Sequence, residues 1–400
     1  MSNFRSKSVV AVLATFICPV LIVPLSFFIR RGPLLFLLLS LLAFWYGLTF
    51  PFSNPKLDSW RYAEAITDMK DLDFGEFYTY YIAGYLKNEN TLDIYQQLTT
   101  FFFAKLDLNE NALFAFYTLV IFWLQYSVFK LVRGSHYETN SRTQLLIISM
   151  FFLCIPIFFV NGVRFYTASW FYILALLGYY SKKKKKYLIY ILIAPLTHFS
   201  FLFLAVLFPF MTVIKKFSKK VVLLLILSSF LVGELILSLV SFIIKGFSGG
   251  VSDRSSRYVN SDYVELVDGI QSNLNILEVI GDNFFYYSLC LIFIHTTVKK
   301  DLSKALVAPM VFTLWALTAS LLIISLLVSG IPSMGRFDSI FEFFCLAYIF
   351  TSYMQSRQNI DFGFNKLNVT NQVAILIPAI FFRVIVITRL AIEVTSITFF

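Results

Sequence analysis

Residues Phe158–Lys186 read FFVNGVRFYTASWFYILALLGYYSKKKKK. An apolar helix of membrane length begins at Arg164 and ends at five consecutive lysines, Lys182 to Lys186. Lysine and arginine accumulate in cytoplasmic loops, so the lysine run assigns that end of the helix to the inside. Arg164 then falls at the outer end, at a helix start, where a cation among apolar neighbours requires a reason to be present.

The rest of the chain has the same character. It is 58% hydrophobic and 14% charged, against roughly a quarter charged in soluble domains. Apolar runs of about 17–25 residues recur along its length, the pattern of bilayer-spanning helices. The alternating segments of a membrane barrel are missing. The composition therefore predicts an all-α, polytopic integral membrane protein forming one domain over 1–400. It has about eleven helical elements of membrane depth. Spans are predicted at 9–29, 34–50, 112–130, 143–161, 164–181, 220–244, 283–298, 305–329, 337–354 and 372–390. Residues 9–29 read as a first membrane helix rather than a cleaved signal peptide, being too long and lacking a small-residue cleavage site.

Cys18, Cys154, Cys290 and Cys345 lie within apolar runs, with no CxxC spacing and no disulfide framework. No metal-ligand cluster and no phosphate-cradling glycine loop occurs, so no metal or cofactor is expected. The net charge of +10 is dealt out among loops, which argues against nucleic acid as a partner.

Working outward from Lys182–Lys186, the basic short loops fall inside and the two long loops, 51–111 and 245–282, fall outside. The first long loop holds five basic and ten acidic residues, the second three and six. TLDIYQQLTTFFFAKL within 51–111 predicts short amphipathic helices on the outer membrane surface. The second loop, with GFSGGVSDRSSRYVNSDYVEL, is more polar.

Residues 187–214 are exceptional. A single crossing would put Lys215, Lys216, Lys219 and Lys220 outside and invert every later loop. A pair of half-helices that enters and returns is the better reading. Pro195 supplies the break, each arm rises roughly 20 Å, and His198 lies deep, near the tip. The other reading is one Pro-kinked helix. Irregular backbone at membrane depth is tolerated only where protein or a cavity surrounds it.

Candidate chemistry is confined to a few ionisable residues at the outer side. Arg164 follows Asn161-Gly162 and can fork onto a phosphate, or else snorkel to lipid headgroups. His198 is a proton donor or acceptor, or a packed histidine. Arg336, in SGIPSMGRFDSIFEFF, repeats the glycine-turn, Arg, Phe construction of Arg164. Two such arginines can converge on a polyanionic headgroup, the alternative being a pairing of Arg336 with Asp338 or Glu342. Asp58, Arg61 and Tyr62 open the first loop and suit a sugar beside a pyrophosphate, although Asp58 also reads as a helix cap. Tyr166, Arg254, Arg257, Tyr258 and Arg383 complete the binding candidates, with Glu234 as a partner for an arginine.

Taken in order, NGVRFYTASWFYILALLGYY, the lysine turn and LIYILIAPLTHFSFL resemble the Wzy/EpsG-like bacterial polysaccharide polymerases. DSWRYAEAI, the Asp-Ile-Tyr of TLDIYQQL and the late Gly335-Arg336-Phe337 resemble further elements of that family, whereas Gly47–Phe52 departs from its Gly-x-Arg. The resemblance implies a GT-C-like glycosyltransferase of the inner membrane that joins undecaprenyl-pyrophosphate-linked oligosaccharide units, O-antigen or capsule, at the periplasmic face. Donor, acceptor and membrane lipids are the implied partners, with a Wzz-like chain-length regulator and a flippase alongside. Arg164 and Arg336 would hold the pyrophosphate, and His198 or Asp58 would serve the acceptor hydroxyl. A lipid-linked oligosaccharide flippase and an O-antigen ligase are the alternative functions.

Overall fold

The computed structural model describes residues 32–52, 58–86, 93–133, 154–155, 162–246, 276–299, 309–329, 334–358 and 376–388. Among these the chain is all-helical. The expected spans at 9–29 and 143–161, and most of the second long loop, lie outside the described residues.

The central element is helix α5, Val163–Lys182. The elements before it are α1 (Gly32–Leu48), α2 (Asp58–Lys70), α3 (Tyr95–Lys105) and α4 (Glu110–Arg133). After it come α6 (Ile189–Thr197), α7 (Phe201–Val206), α8 (Phe208–Val213) and α9 (Lys219–Gly246). The last four are α10 (Ile276–Lys299), α11 (Pro309–Val328), α12 (Asp338–Gln358) and α13 (Leu376–Thr388). Helix α5 packs on α4 and α6, α1 packs on α4, and α11 packs on α9 and α12.

Trp170, Tyr172, Ile173, Ala175 and Leu176 of α5 are fully buried. The Trp170 ring meets Phe343 of α12 edge-on at 5.7 Å. A helix enclosed by protein on most sides need not be strongly apolar, which is why α5 tolerates Thr167, Ser169 and several tyrosines. Its end is abrupt. Lys183 takes a left-handed conformation, φ 52°, and the like charges that follow oppose another helical turn.

By length and apolarity, two helices among the described residues suffice to cross a membrane, Glu110–Val132 and Pro309–Val328. Phe36–Leu48, Asn283–Val298 and Leu376–Thr388 are shorter apolar helices. Elsewhere the outward faces are greasy. Leu224, Leu227 and Phe230 of α9, Leu291 of α10, Leu192 of α6 and Phe381 of α13 are more than half exposed. Contiguous exposed apolar surface of this kind is rare on soluble monomers.

The first long loop carries a small core of its own. Helix α2 buries Tyr62, Ile66 and Met69, and the rings of Phe77 and Phe101 stack at 4.0 Å between centroids. An exposed Lys70–Asp107 ion pair at 2.7 Å ties the far end of α2 to the chain after α3. The mutual charge raises the lysine pKa and lowers that of the carboxylate.

The segment after the lysine run runs along α5 and comes back. The Tyr187 ring lies where Gly178 offers no side chain, and a Cβ there would fall 2.2 Å from it. Tyr190 stacks on Phe171 at 5.7 Å, and His198 meets Phe165 at 5.5 Å. On the return, the Tyr172 hydroxyl donates to the Leu204 carbonyl at 3.0 Å. Phe208 then packs on Tyr179 and Tyr180, and Lys215 Nζ lies 4.3 Å from the centre of the Tyr180 ring. The chain therefore finishes beside the end of α5 from which it started.

Two details differ from expectation. Pro195 lies inside α6, and the break comes at His198, whose backbone is extended at φ −151°, ψ 120°. One more turn forms because Thr197 Oγ1 and the His198 N–H bond to the carbonyls of Ile193 and Ala194. His198 also reaches the first turn of α5, the end opposite the lysines, instead of lying deep. From Tyr187 to His198 the helix rises about 17 Å, nearly the roughly 20 Å from Gly178 back to Phe165.

Gly178→Val is expected to destabilise the protein by roughly 1–3 kcal/mol, since the Tyr187 ring must move. Adding Tyr187→Ala should recover much of that loss in thermal unfolding of the purified chain. A Gly178→Val variant as stable as the parent would remove the close approach from the account.

Candidate active site

A helix interrupted among apolar neighbours frees backbone groups that those neighbours cannot satisfy. At the His198 break the first long loop satisfies them. The Ile94 N–H donates to the Leu196 carbonyl at 3.1 Å. The Phe199 N–H donates to Asp93 Oδ1 at 2.7 Å. The other carboxylate oxygen, Asp93 Oδ2, accepts from Arg164 Nη1 at 2.9 Å. The Asp93 side chain is 4% exposed and that of Arg164 26%.

Arg164 has a second partner. Its Nε donates to the Tyr62 hydroxyl at 3.1 Å. Burial pushes the Tyr62 phenol up to about 12 against the opposing charge of Arg164, so the phenol stays neutral. These contacts use two of the five guanidinium donors. The Nη2 end has no partner among the described residues, in a side chain still open to solvent.

The two Gly-turn-Arg-Phe segments meet through their phenylalanines. The rings of Phe165 and Phe337 are 5.6 Å apart, and both touch Phe201, at 5.3 and 5.5 Å. Arg336 lies 5.9 Å from the centre of the Phe165 ring. It is exposed and has no carboxylate partner among the described residues. The pairings that would have neutralised it are taken elsewhere. Asp338 accepts from the Ser325 hydroxyl, which also bonds Tyr286, and Glu342 faces Arg383 at 3.6 Å. Arg164 and Arg336 both lie close enough to His198 to act on it electrostatically. His198 Nδ1 accepts from the Ser200 backbone N–H at 3.3 Å and contacts Ser200 Oγ at 2.8 Å.

The remaining candidates are placed as follows. Asp58 and Arg61 pair with each other at 2.7 Å, with the Arg61 side chain 67% exposed, and the charge of Asp58 reaches Arg164 and Tyr62. Tyr166 meets Phe165 edge-on at 5.4 Å and lies against Gly162. Arg383 is buried, between Glu342 and the Phe285 ring at 5.6 Å, in a cluster of α10, α12 and α13. Arg254, Arg257 and Tyr258 lie outside the described residues, as does the side chain of Glu234. Asp93 was missed as a site residue. Its signal was the Asp-Ile-Tyr element, an acid opening an aromatic helix in the first long loop.

An all-helical fold with greasy outer faces is that of a membrane protein, and here two arginines flank one aromatic cluster. A family model described as the EpsG family matches residues 34–388, and the chain belongs to that family. The family is associated with polysaccharide biosynthesis and glycosyltransferase-like polymerase activity. No curated protein and no solved structure was found to match the chain.

Asp93→Ala is expected to cost about 1–3 kcal/mol, because it removes the carboxylate that a half-buried guanidinium and the part-buried Phe199 N–H share. Asp93→Asn keeps an acceptor for Phe199 and should cost less. Thermal unfolding of the two variants in one detergent tests the order, and equal stabilities would refute the bridging role.

Proposed function

We propose that this protein polymerises oligosaccharide repeat units carried on a polyprenyl pyrophosphate, at the periplasmic face of a bacterial inner membrane. The observation that carries the reading is the convergence of Arg164, Arg336 and His198 around Phe165. Family membership supplies the reaction class, and the lysine run supplies the orientation.

The donor pyrophosphate sits between the guanidinium groups. Arg164 is pre-aimed by Asp93 and Tyr62, so it need not reorganise as charge develops. Arg336 brings a second, unneutralised charge. A hydroxyl oxygen of the acceptor unit forms a bond to the anomeric carbon of the donor as the bond from that carbon to the pyrophosphate oxygen breaks. The pyrophosphate leaves with the electron pair, its charge spread over both arginines.

His198 and Asp58 divide the proton work by their surroundings. With Nδ1 accepting from the Ser200 N–H, the neutral imidazole carries its proton on Nε2 and offers a donor to the leaving group. Asp93 is occupied by Arg164 and Phe199. Asp58, at the rim of the site and paired only with the exposed Arg61, is the carboxylate that takes the proton of the acceptor hydroxyl. Tyr166, half-buried, offers an aromatic face to sugar near the arginines, while the buried Tyr62 serves to aim Arg164.

Arg336→Ala should leave the fold intact, since the side chain is exposed, and lower polymer yield about 10²–10³-fold. The assay is the ladder of polymer lengths in cells carrying only the variant, with protein amount measured in the same membranes. Arg164→Lys should lose activity comparably, because a point charge does not reproduce the fork. Elongation of units already presented at the periplasmic face separates polymerisation from transport. An unchanged ladder for both arginine variants would sink the proposal.

A further inference from the structure

The lysine end of α5 carries a second concave site that the proposed chemistry does not use. A cavity of about 280 Å³ opens there between α4 and the incoming arm of the hairpin. Two cations border it, Lys130 from α4 and Lys186 from the lysine run. Lys130 Nζ lies 4.5 Å from the centre of the Tyr126 ring, and Lys186 Nζ 5.7 Å from that of Tyr187. Neither lysine has a carboxylate partner among the described residues. The floor is apolar, formed by the buried Leu131 and Leu174. The polar wall holds the hydroxyls of Ser127 and Tyr190.

We propose that this cavity binds the phosphate headgroup of an anionic phospholipid of the cytoplasmic leaflet. Charge complementarity selects the ligand: two unneutralised ammonium groups flank the Tyr190 hydroxyl at the end of α5 that carries five consecutive lysines. The leucine floor selects a lipid over a free ion, because it offers the glycerol and first methylenes an apolar contact. Basic pockets between membrane helices on the cytoplasmic side bind acidic headgroups in this way. A bound headgroup would tie α4 to the arm that leads from Tyr187 to His198, bracing the hairpin from the side opposite Asp93. The inference rests on the membrane orientation and not on the polymerase reading.

The test is thermal unfolding of the full-length chain in a neutral detergent, with added phosphatidylglycerol, phosphatidylcholine or inorganic phosphate. Phosphatidylglycerol should raise the midpoint by roughly 2–4 °C, and the other two should not. The rise should vanish in Lys130→Gln/Lys186→Gln and persist in Lys183→Gln/Lys184→Gln, which removes equal charge outside the cavity. Ser127→Asp places a carboxylate in the wall and should abolish the rise by itself, so the result does not depend on the double variant folding. Equal shifts with phosphatidylcholine, a shift with inorganic phosphate alone, or a phosphatidylglycerol shift that survives Ser127→Asp would each overturn the proposal.

Discussion

The hydrogen-bonding groups set free where α6 stops and α7 starts dominate this structure. Helices are favoured in lipid because they leave no backbone group unpaired. A helical hairpin forfeits that advantage at its tip. Here the debt is met by residues 93 and 94, more than a hundred positions earlier in the chain. The loop with its own small core, the broken helix and the central arginine are therefore one construction, joined by a single carboxylate with an oxygen turned to each side.

That construction places charge without neutralising it. Asp93 and Tyr62 fix the direction of Arg164 while leaving one end of the guanidinium unused. The phenylalanines that follow the two arginines pack on each other and on Phe201, which sets the distance between the cations through apolar contact alone. The carboxylates of α12 that would have quenched Arg336 face Ser325 and Arg383 instead.

Much of this was legible in the sequence, for physical reasons that can be named. A run of five lysines after an apolar helix admits few interpretations, and charge in the following loops then implied a hairpin at 187–214. The repeated Gly-turn-Arg-Phe segments marked Arg164 and Arg336 for the same location. The position of the break was less legible, because Pro195 weakens the helix by losing one donor, whereas the actual stop is set by partners from a distant loop. Asp93 was marked only by the Asp-Ile-Tyr element, since nothing else local distinguishes an acid destined for a buried bridge from nine others in that loop. Arg383 looked similar to Arg164 from its apolar surroundings. Only the position of Glu342 on a neighbouring helix separates them.

The bridge through Asp93 also has a consequence for biogenesis. Its three members leave the ribosome in the order Asp93, Arg164, Phe199, separated by 71 residues and then by 35 more, since Asp93 and Phe199 lie 106 apart. The carboxylate is therefore made first and remains hydrated until both partners have been synthesised. During synthesis, Arg164 is a lone cation at the edge of a nascent helix, free to settle at the interface. The three-way bridge comes into being only when the hairpin closes, so a chain stalled before residue 199 has every part of the first loop and no bridge.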